Sequence, residues 1–177
     1  MRFSFFRRHH DPAADLEHTL KELQKSTFFA PTPWRVARQM LELAQVQPDD
    51  VVFDLGSGDG RIPIMAAQEF GCRAVGIELD GKLRRFSEEK AAEYGLQDRV
   101  TFRQEDFFKA DLRTATVVTL YLLTQVNGYL GPRMASQLGK GARVVSLDYE
   151  VPGWRAEKTA TAISEGNVEY TLYLYRR

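Results

Sequence analysis

Three kinds of residue in this chain have the type and spacing to do chemistry: Asp54, the alternating glycines that follow it, and the acids Glu78 and Asp106 further along. The first stretch reads Asp54-Leu55-Gly56-Ser57-Gly58-Asp59-Gly60-Arg61. Glycines at alternate positions let a backbone bend tightly and approach a ligand closely. The stretch lies between an apolar run and a helix-like segment, so a ligand would rest at the carboxyl end of a strand. The following helix is expected to offer unpaired N–H groups and a positive dipole end.

A dinucleotide loop reads G-x-G-x-x-G and would place its third glycine at position 61, which is Arg61. Here the spacing is G-x-G-x-G, with the Asp54 carboxylate two residues ahead of the first glycine. A carboxylate so placed repels a pyrophosphate and suits an ammonium group. S-adenosylmethionine has an ammonium, a sulfonium and no phosphate. It fits the loop of Asp54, Gly56, Ser57, Gly58, Asp59 and Gly60 better than a nicotinamide dinucleotide does. A glycine turn without a ligand is the plain alternative, but three spaced glycines weaken both flanking elements.

Glu78 and Leu79 end the next apolar run, Val75-Gly76-Ile77-Glu78. An acid roughly 20 residues past the glycines is placed to accept hydrogen bonds from a ribose diol. The alternative, a helix cap, is already supplied by Asp80. Glu105 and Asp106 follow a third run. An acid there can accept from an adenine amino group while Phe107 covers the ring; the alternative is an exposed capping acid.

These residues need elements to position them. Strands are expected at Val51 to Leu55, Arg73 to Glu78, Val100 to Gln104, Thr116 to Leu122 and Arg143 to Leu147, with helices between them. Asp11-Pro12 and Thr32-Pro33 each read as a helix start, with Thr32 as a cap. Leu16, Leu20 and Leu23 give the first of these helices an apolar face. Val126, Leu130, Met134 and Leu138 mark another helical face, and Gly131-Pro132 is expected to split it. Lys158 to Ile163 and Val168 to Tyr175 then read as a hairpin around Glu165-Gly166-Asn167. Strict alternation in its second strand predicts one buried and one polar face. Apolar strands alternating with helices imply an α/β fold with a mostly parallel sheet covered on both faces. Residues 1–27 read as a tail and amphipathic helix, and 28–177 as the domain.

Composition narrows the function. Lys plus Arg and Asp plus Glu both total 24 in 177 residues, which argues against nucleic-acid binding as the main activity. Cys72 is the only cysteine, which fits a reducing, cytoplasmic compartment. No apolar run approaches the roughly 20 residues of a membrane span. The Phe- and Arg-containing stretch 1–10 reads as a tail, with weak membrane association disfavoured. His9 and His10 lack ligand partners, so no metal is expected.

From Phe28 onward these residues resemble class I S-adenosylmethionine methyltransferases. Ala30-Pro31-Thr32-Pro33, the loop Asp54 to Arg61, Val118-Thr119-Leu120-Tyr121-Leu122-Leu123 and Pro152-Gly153-Trp154 are similar to the family of mitochondrial lysine methyltransferases acting on ATP synthase c-subunit and adenine nucleotide translocase, with their small prokaryotic relatives. The resemblance implies a Rossmann-like sheet in the order 3-2-1-4-5-7-6 with strand 7 antiparallel. It also implies S-adenosyl-L-methionine as cofactor, Thr119 among its contacts, and methylation of lysine on a protein partner. Departures exist. The hydrophobic targeting segment of the mitochondrial members is missing, as is the Asn/Asp-Pro-Pro-Tyr motif, and Leu123-Thr124 stands where relatives have Leu-Pro. Tyr121, at the end of the fourth strand, is the candidate catalytic residue, placed to pack beside the methyl and stabilise a cation. Thr32 either caps its helix or also reaches the cofactor carboxylate. Trp154 either lines the acceptor channel or packs in the core. Competing functions are a small-molecule methyltransferase, a non-catalytic cofactor-binding module and, more distantly, a nicotinamide reductase.

Overall fold

The computed structural model describes residues 30–177 together with Thr19. Apart from Thr19, the expected first helix and the tail at 1–27 lie outside the described residues. Helix α1 spans Trp34–Leu43, and the chain then alternates: β1 Val51–Leu55, α2 Arg61–Phe70, β2 Arg73–Glu78, α3 Gly81–Glu93, β3 Val100–Gln104, β4 Val117–Leu120, α4 Thr124–Gln137 and β5 Arg143–Leu147. The hairpin of β6 Lys158–Ile163 and β7 Glu169–Arg176 closes the described chain. The seven strands form one sheet in the order β3-β2-β1-β4-β5-β7-β6. All pairs are parallel except β5 with β7 and β6 with β7. This is the order implied by the resemblance.

Strands buried on both faces read as continuous apolar runs, and β4 is buried at every position. One face packs on α1, α2 and α3 through residues such as Met40, Leu41, Ile64 and Ala91. The other packs on α4 and the Phe107–Leu112 segment through Phe53, Leu120, Leu130 and Met134. Gly71, with φ of 70°, ends α2 in the left-handed conformation. The Asp80 carboxylate caps α3 by accepting from the N–H groups of Lys82 and Leu83. Among the described residues, no helix is long and apolar enough to cross a membrane.

The structure corrects several local expectations. Pro33, not Thr32, occupies the N-cap of α1, and no side chain caps that end. Helix α4 is continuous, with Pro132 inside it. Proline removes only the one bond to the Gly128 carbonyl. Gly131 meanwhile backs so closely on Val151 and Trp154 that a Cβ would meet both at 3.3 Å. Burial of Val126, Leu130 and Met134 outweighs the lost bond. Strand β4 stops at Leu120, which leaves Tyr121 and Leu122 free of the ladder. The hairpin turns where expected, with Asn167 at positive φ, but its second strand starts at Glu169, leaving Val168 exposed ahead of β7. Strand β7 is flanked by β5 and β6 and covered on both faces. Tyr175, from its expected polar face, is buried with its hydroxyl accepting from Val151 N at 2.9 Å.

Candidate cofactor site

Strands β1 and β2 run in register, with Leu55 beside Ile77, and the glycine loop folds back over the end of β2. The N–H groups of Gly56 and Ser57 both donate to the Ile77 carbonyl, at 2.9 and 3.0 Å. Gly58 N donates to Glu78 Oε2 at 2.9 Å, and Gly60 N to the Ser57 carbonyl at 2.9 Å. Arg61 N donates to Asp59 Oδ1 at 3.3 Å. A phosphate-binding loop aims such groups at its ligand. Here the protein's own oxygens take those of Gly56, Ser57, Gly58 and Gly60, and of the helix N–H groups expected to be unpaired, that of Arg61 at the start of α2 is also taken. The fit of a phosphate-free ligand improves accordingly.

The loop borders a cleft of about 420 Å³ lined by Thr32, Asp54, Glu78, Leu79, Phe107 and Tyr121, among others. That size accommodates a small cofactor. Asp54 is buried, and its carboxylate accepts from Thr119 Oγ1 at 2.6 Å. Burial pushes its pKa up from 3.8 to about 7, against the Thr119 hydrogen bond, and the nearby charges of Glu78 and Asp59 push the same way. An ionised carboxylate in this position is under-compensated and attracts a cation. The two Glu78 oxygens accept from Gly58 N and, at 2.8 Å, from Asp80 N. Each oxygen keeps a second lone pair for a ligand. Ser57 also lines the cleft, while its Oγ lies beside Gly76, buried and without a hydrogen-bond partner among the described residues.

Most of the expected residues converge here. Thr32, Asp54, Gly56, Ser57, Gly58, Asp59, Glu78, Leu79, Phe107 and Tyr121 line the cleft. Four do not. Gly60 serves packing instead: its φ is +78°, and a Cβ there would sit 2.6–2.8 Å from Phe102 and Ser87. Thr119 is fully buried and acts through Asp54. Glu105 lies outside the lining, its N–H donating to the Glu78 carbonyl. Asp106 is also outside, its Oδ1 accepting from Phe108 N at 2.8 Å. Trp154 packs edge-on against Tyr175, with ring centres 6.0 Å apart, and does not line the cleft.

Arg61, which stands where a dinucleotide loop has its third glycine, has a structural role that its position in the loop does not reveal. Its guanidinium grips the Asp59 carboxylate through Nε and Nη2, donates from Nη1 to the Thr32 carbonyl at 2.7 Å, and lies 5.0 Å from the centre of the Trp34 ring. It thereby fastens the segment ahead of α1 to the glycine loop, and Ala30, Pro31 and Thr32 become one wall of the cleft. The Asp-x-Arg spacing at 59 and 61 is a visible signal for the first of these contacts.

Known proteins resemble this chain in sequence and in fold. Residues 54–158 match the model of the ANTKMT methyltransferase domain. A protein-lysine N-methyltransferase of Saccharolobus islandicus is 43% identical over 148 residues, which span 83% of this chain and 91% of that protein. The adenine nucleotide translocase lysine N-methyltransferase of Mus musculus is 35% identical over 68% of this chain, but the match spans only 52% of the mouse protein. Among solved structures, an RNA methyltransferase from Salinibacter ruber in complex with S-adenosyl-L-homocysteine is 48% identical, with a TM-score of 0.77 over 83% of this chain and 93% of that one.

Proposed function

Because the chain belongs to the family of the ANTKMT methyltransferase domain and is an S-adenosylmethionine-dependent methyltransferase, we propose that it N-methylates lysine side chains of a protein substrate. The observation that carries the cofactor half is the pair of carboxylates, Asp54 and Glu78, facing one cleft whose loop N–H groups turn inward. The lysine half rests on likeness to the Saccharolobus islandicus enzyme over nearly its whole length.

In this reading Asp54 accepts from the ammonium of the cofactor and Glu78 from its ribose hydroxyls. Leu79 and Phe107 flank the adenine, with Glu105 and Asp106 behind them at the end of β3. The Thr32 hydroxyl, not used as a helix cap, faces the cofactor carboxylate. Ser57, Gly56, Gly58 and Asp59 shape the floor. When bound, the cofactor supplies an activated methyl whose carbon–sulfur bond breaks as the lysine nitrogen–carbon bond forms, leaving S-adenosylhomocysteine and a proton for solvent. The protein contributes alignment and a low-polarity approach that favours the neutral amine. Burial, followed by the Asp148, Tyr170 and Tyr149 groups, pushes the Tyr121 phenol up. It therefore stays neutral near pH 7 and offers the approaching nitrogen a ring face and not a charge. The lone, buried Cys72 supports a cytoplasmic setting for the reaction.

A second reading takes RNA as the acceptor, because the Salinibacter ruber relative is described as an RNA methyltransferase. The balance of 24 basic and 24 acidic residues favours protein. One experiment separates the readings. A host lysate is incubated with the enzyme and isotopically labelled cofactor, fractionated into protein, RNA and metabolites, and analysed by mass spectrometry, with Glu78→Ala as control. Label on lysine is expected. Label confined to RNA or to metabolites overturns the lysine assignment, and tight cofactor binding with no label anywhere reduces the protein to a binding module.

A further inference from the structure

Beyond β5 the chain makes a turn that the cofactor site does not use. Asp148 adopts positive φ, 59°, a conformation unusual for any residue but glycine. Tyr149 N donates back to the Leu147 carbonyl at 2.7 Å. The turn is clamped from three sides. The fully buried Asn127 amide donates to the carbonyls of Tyr149 and Glu150, at 3.1 and 3.2 Å. The buried Ser146 hydroxyl donates to the Tyr149 carbonyl. From β7, Thr171 N donates to Asp148 Oδ1 at 2.9 Å. The clamps hold the Tyr149 ring against that of Tyr121, centres 6.3 Å apart and planes inclined by 29°. Tyr121, with Leu122, lines the cofactor cleft from the β4 side. The Asp148 carboxylate lies near enough to Tyr121 to disfavour loss of its proton.

Aromatic faces beside a carboxylate attract a cationic side chain, the rings through their quadrupoles and the carboxylate by direct charge. We propose that Tyr121, Tyr149 and Asp148 form the receptor for the acceptor lysine, with Asp148 and Tyr149 as specificity residues that recognise its ammonium before it enters the cleft. This rests on the protein-lysine reading above. Asp148 acts on arrival and not on transfer, because a carboxylate in contact with an ammonium opposes its deprotonation. Removing its charge therefore raises KM and leaves kcat nearly unchanged.

The test uses the full chain loaded with S-adenosylhomocysteine and poly-L-lysine as probe, with tyrosine ring signals followed by NMR. Turnover is measured in parallel with labelled S-adenosylmethionine and the same polymer, scored as methyl-lysine after hydrolysis. Asp148→Asn is the informative variant. Asparagine keeps an acceptor for Thr171 N and tolerates positive φ, so only the charge is lost. Tyr149→Leu removes the ring. In the wild type the signals of Tyr121 and Tyr149 are expected to shift on titration. Both variants should weaken that titration, or raise KM, by about fivefold or more, with kcat within about twofold and unchanged affinity for S-adenosylhomocysteine. Variants that titrate as wild type, or a wild type whose tyrosines ignore the polymer, overturn the receptor. Shifts without methyl-lysine preserve the receptor and defeat the lysine-transfer reading instead.

Discussion

Replacing Asp54 with asparagine is expected to stabilise the ligand-free protein while crippling its grip on the cofactor, and both effects follow from one buried charge. The folded state raises the Asp54 pKa from 3.8 to about 7. Between those values the folded chain holds a proton that the unfolded chain has released. The contribution of this group to stability therefore falls as pH rises through that window, and it is fully lost above about pH 8. At about 1.4 kcal/mol per pH unit, the ionised carboxylate costs the fold roughly 4 kcal/mol at the upper end. Asparagine carries no charge at any pH and still accepts from Thr119 Oγ1. Contributions remote from this site cancel in the difference between variant and wild type, which therefore reports on Asp54 and the charges beside it. Thermal unfolding followed from pH 5 to 8.5 should show the variant already ahead by about 1.7 kcal/mol at pH 5, where the unfolded chain has released the proton, and a gap that widens to its full value by pH 8. With about 2–4 °C per kcal/mol for a domain of this size, the gap reaches at most some 8–16 °C. Calorimetry with S-adenosylhomocysteine reads the other side. Loss of a charge-assisted bond of about 1.5–3 kcal/mol weakens binding roughly 10- to 150-fold at pH 8. Wild-type affinity falls about tenfold by pH 6, where most Asp54 is protonated, and the variant shows no such trend. A midpoint gap that is constant across pH, or unchanged affinity in the variant, refutes the reasoning.

Two further substitutions probe neighbouring parts of the site. Glu78→Ala should weaken S-adenosylhomocysteine binding roughly tenfold or more, the loss of at least one charge-assisted bond, and unchanged affinity by calorimetry refutes the ribose assignment. Gly60→Ala should destabilise the fold by roughly 2–4 kcal/mol in urea unfolding, through positive φ and the contact of a Cβ with Phe102 and Ser87; a loss under about 1 kcal/mol contradicts the packing role.

The parts of this molecule that follow from local pattern were legible in advance. Apolar runs between glycines and caps locate β1, β2 and β5 to the residue, because burial on both faces leaves a continuous apolar signature, and the half-exposed edge strands β3 and β6 are located as closely by the turns that bound them. The acids Asp54 and Glu78 were legible for a similar reason: each ends a strand at the carboxyl edge. What escaped depends on partners distant in sequence. The continuity of α4 through Pro132 is decided by Val151 and Trp154, some 20 residues later. The burial of Tyr175 is decided by Val151 N. The inward turn of the loop N–H groups depends on the Ile77 carbonyl of the next strand, and the role of Arg61 on Thr32 and Trp34. The clamp on Asp148 joins α4, β5 and β7, and no window along the chain contains all three.

The strand order also sets how substitutions combine. Glu78 closes β2 and Asp148 follows β5, with β1 and β4 between them. Strands about 4.8 Å apart separate those two ends by roughly 14 Å, beyond the 7–10 Å over which contacts usually couple. Paired changes at the two places should therefore cost the sum of their single effects. The Thr119–Asp54 hydrogen bond, which crosses from β4 to β1, is where that arithmetic should break down first, because it is a side-chain link over the seam between the donor and acceptor halves of the molecule.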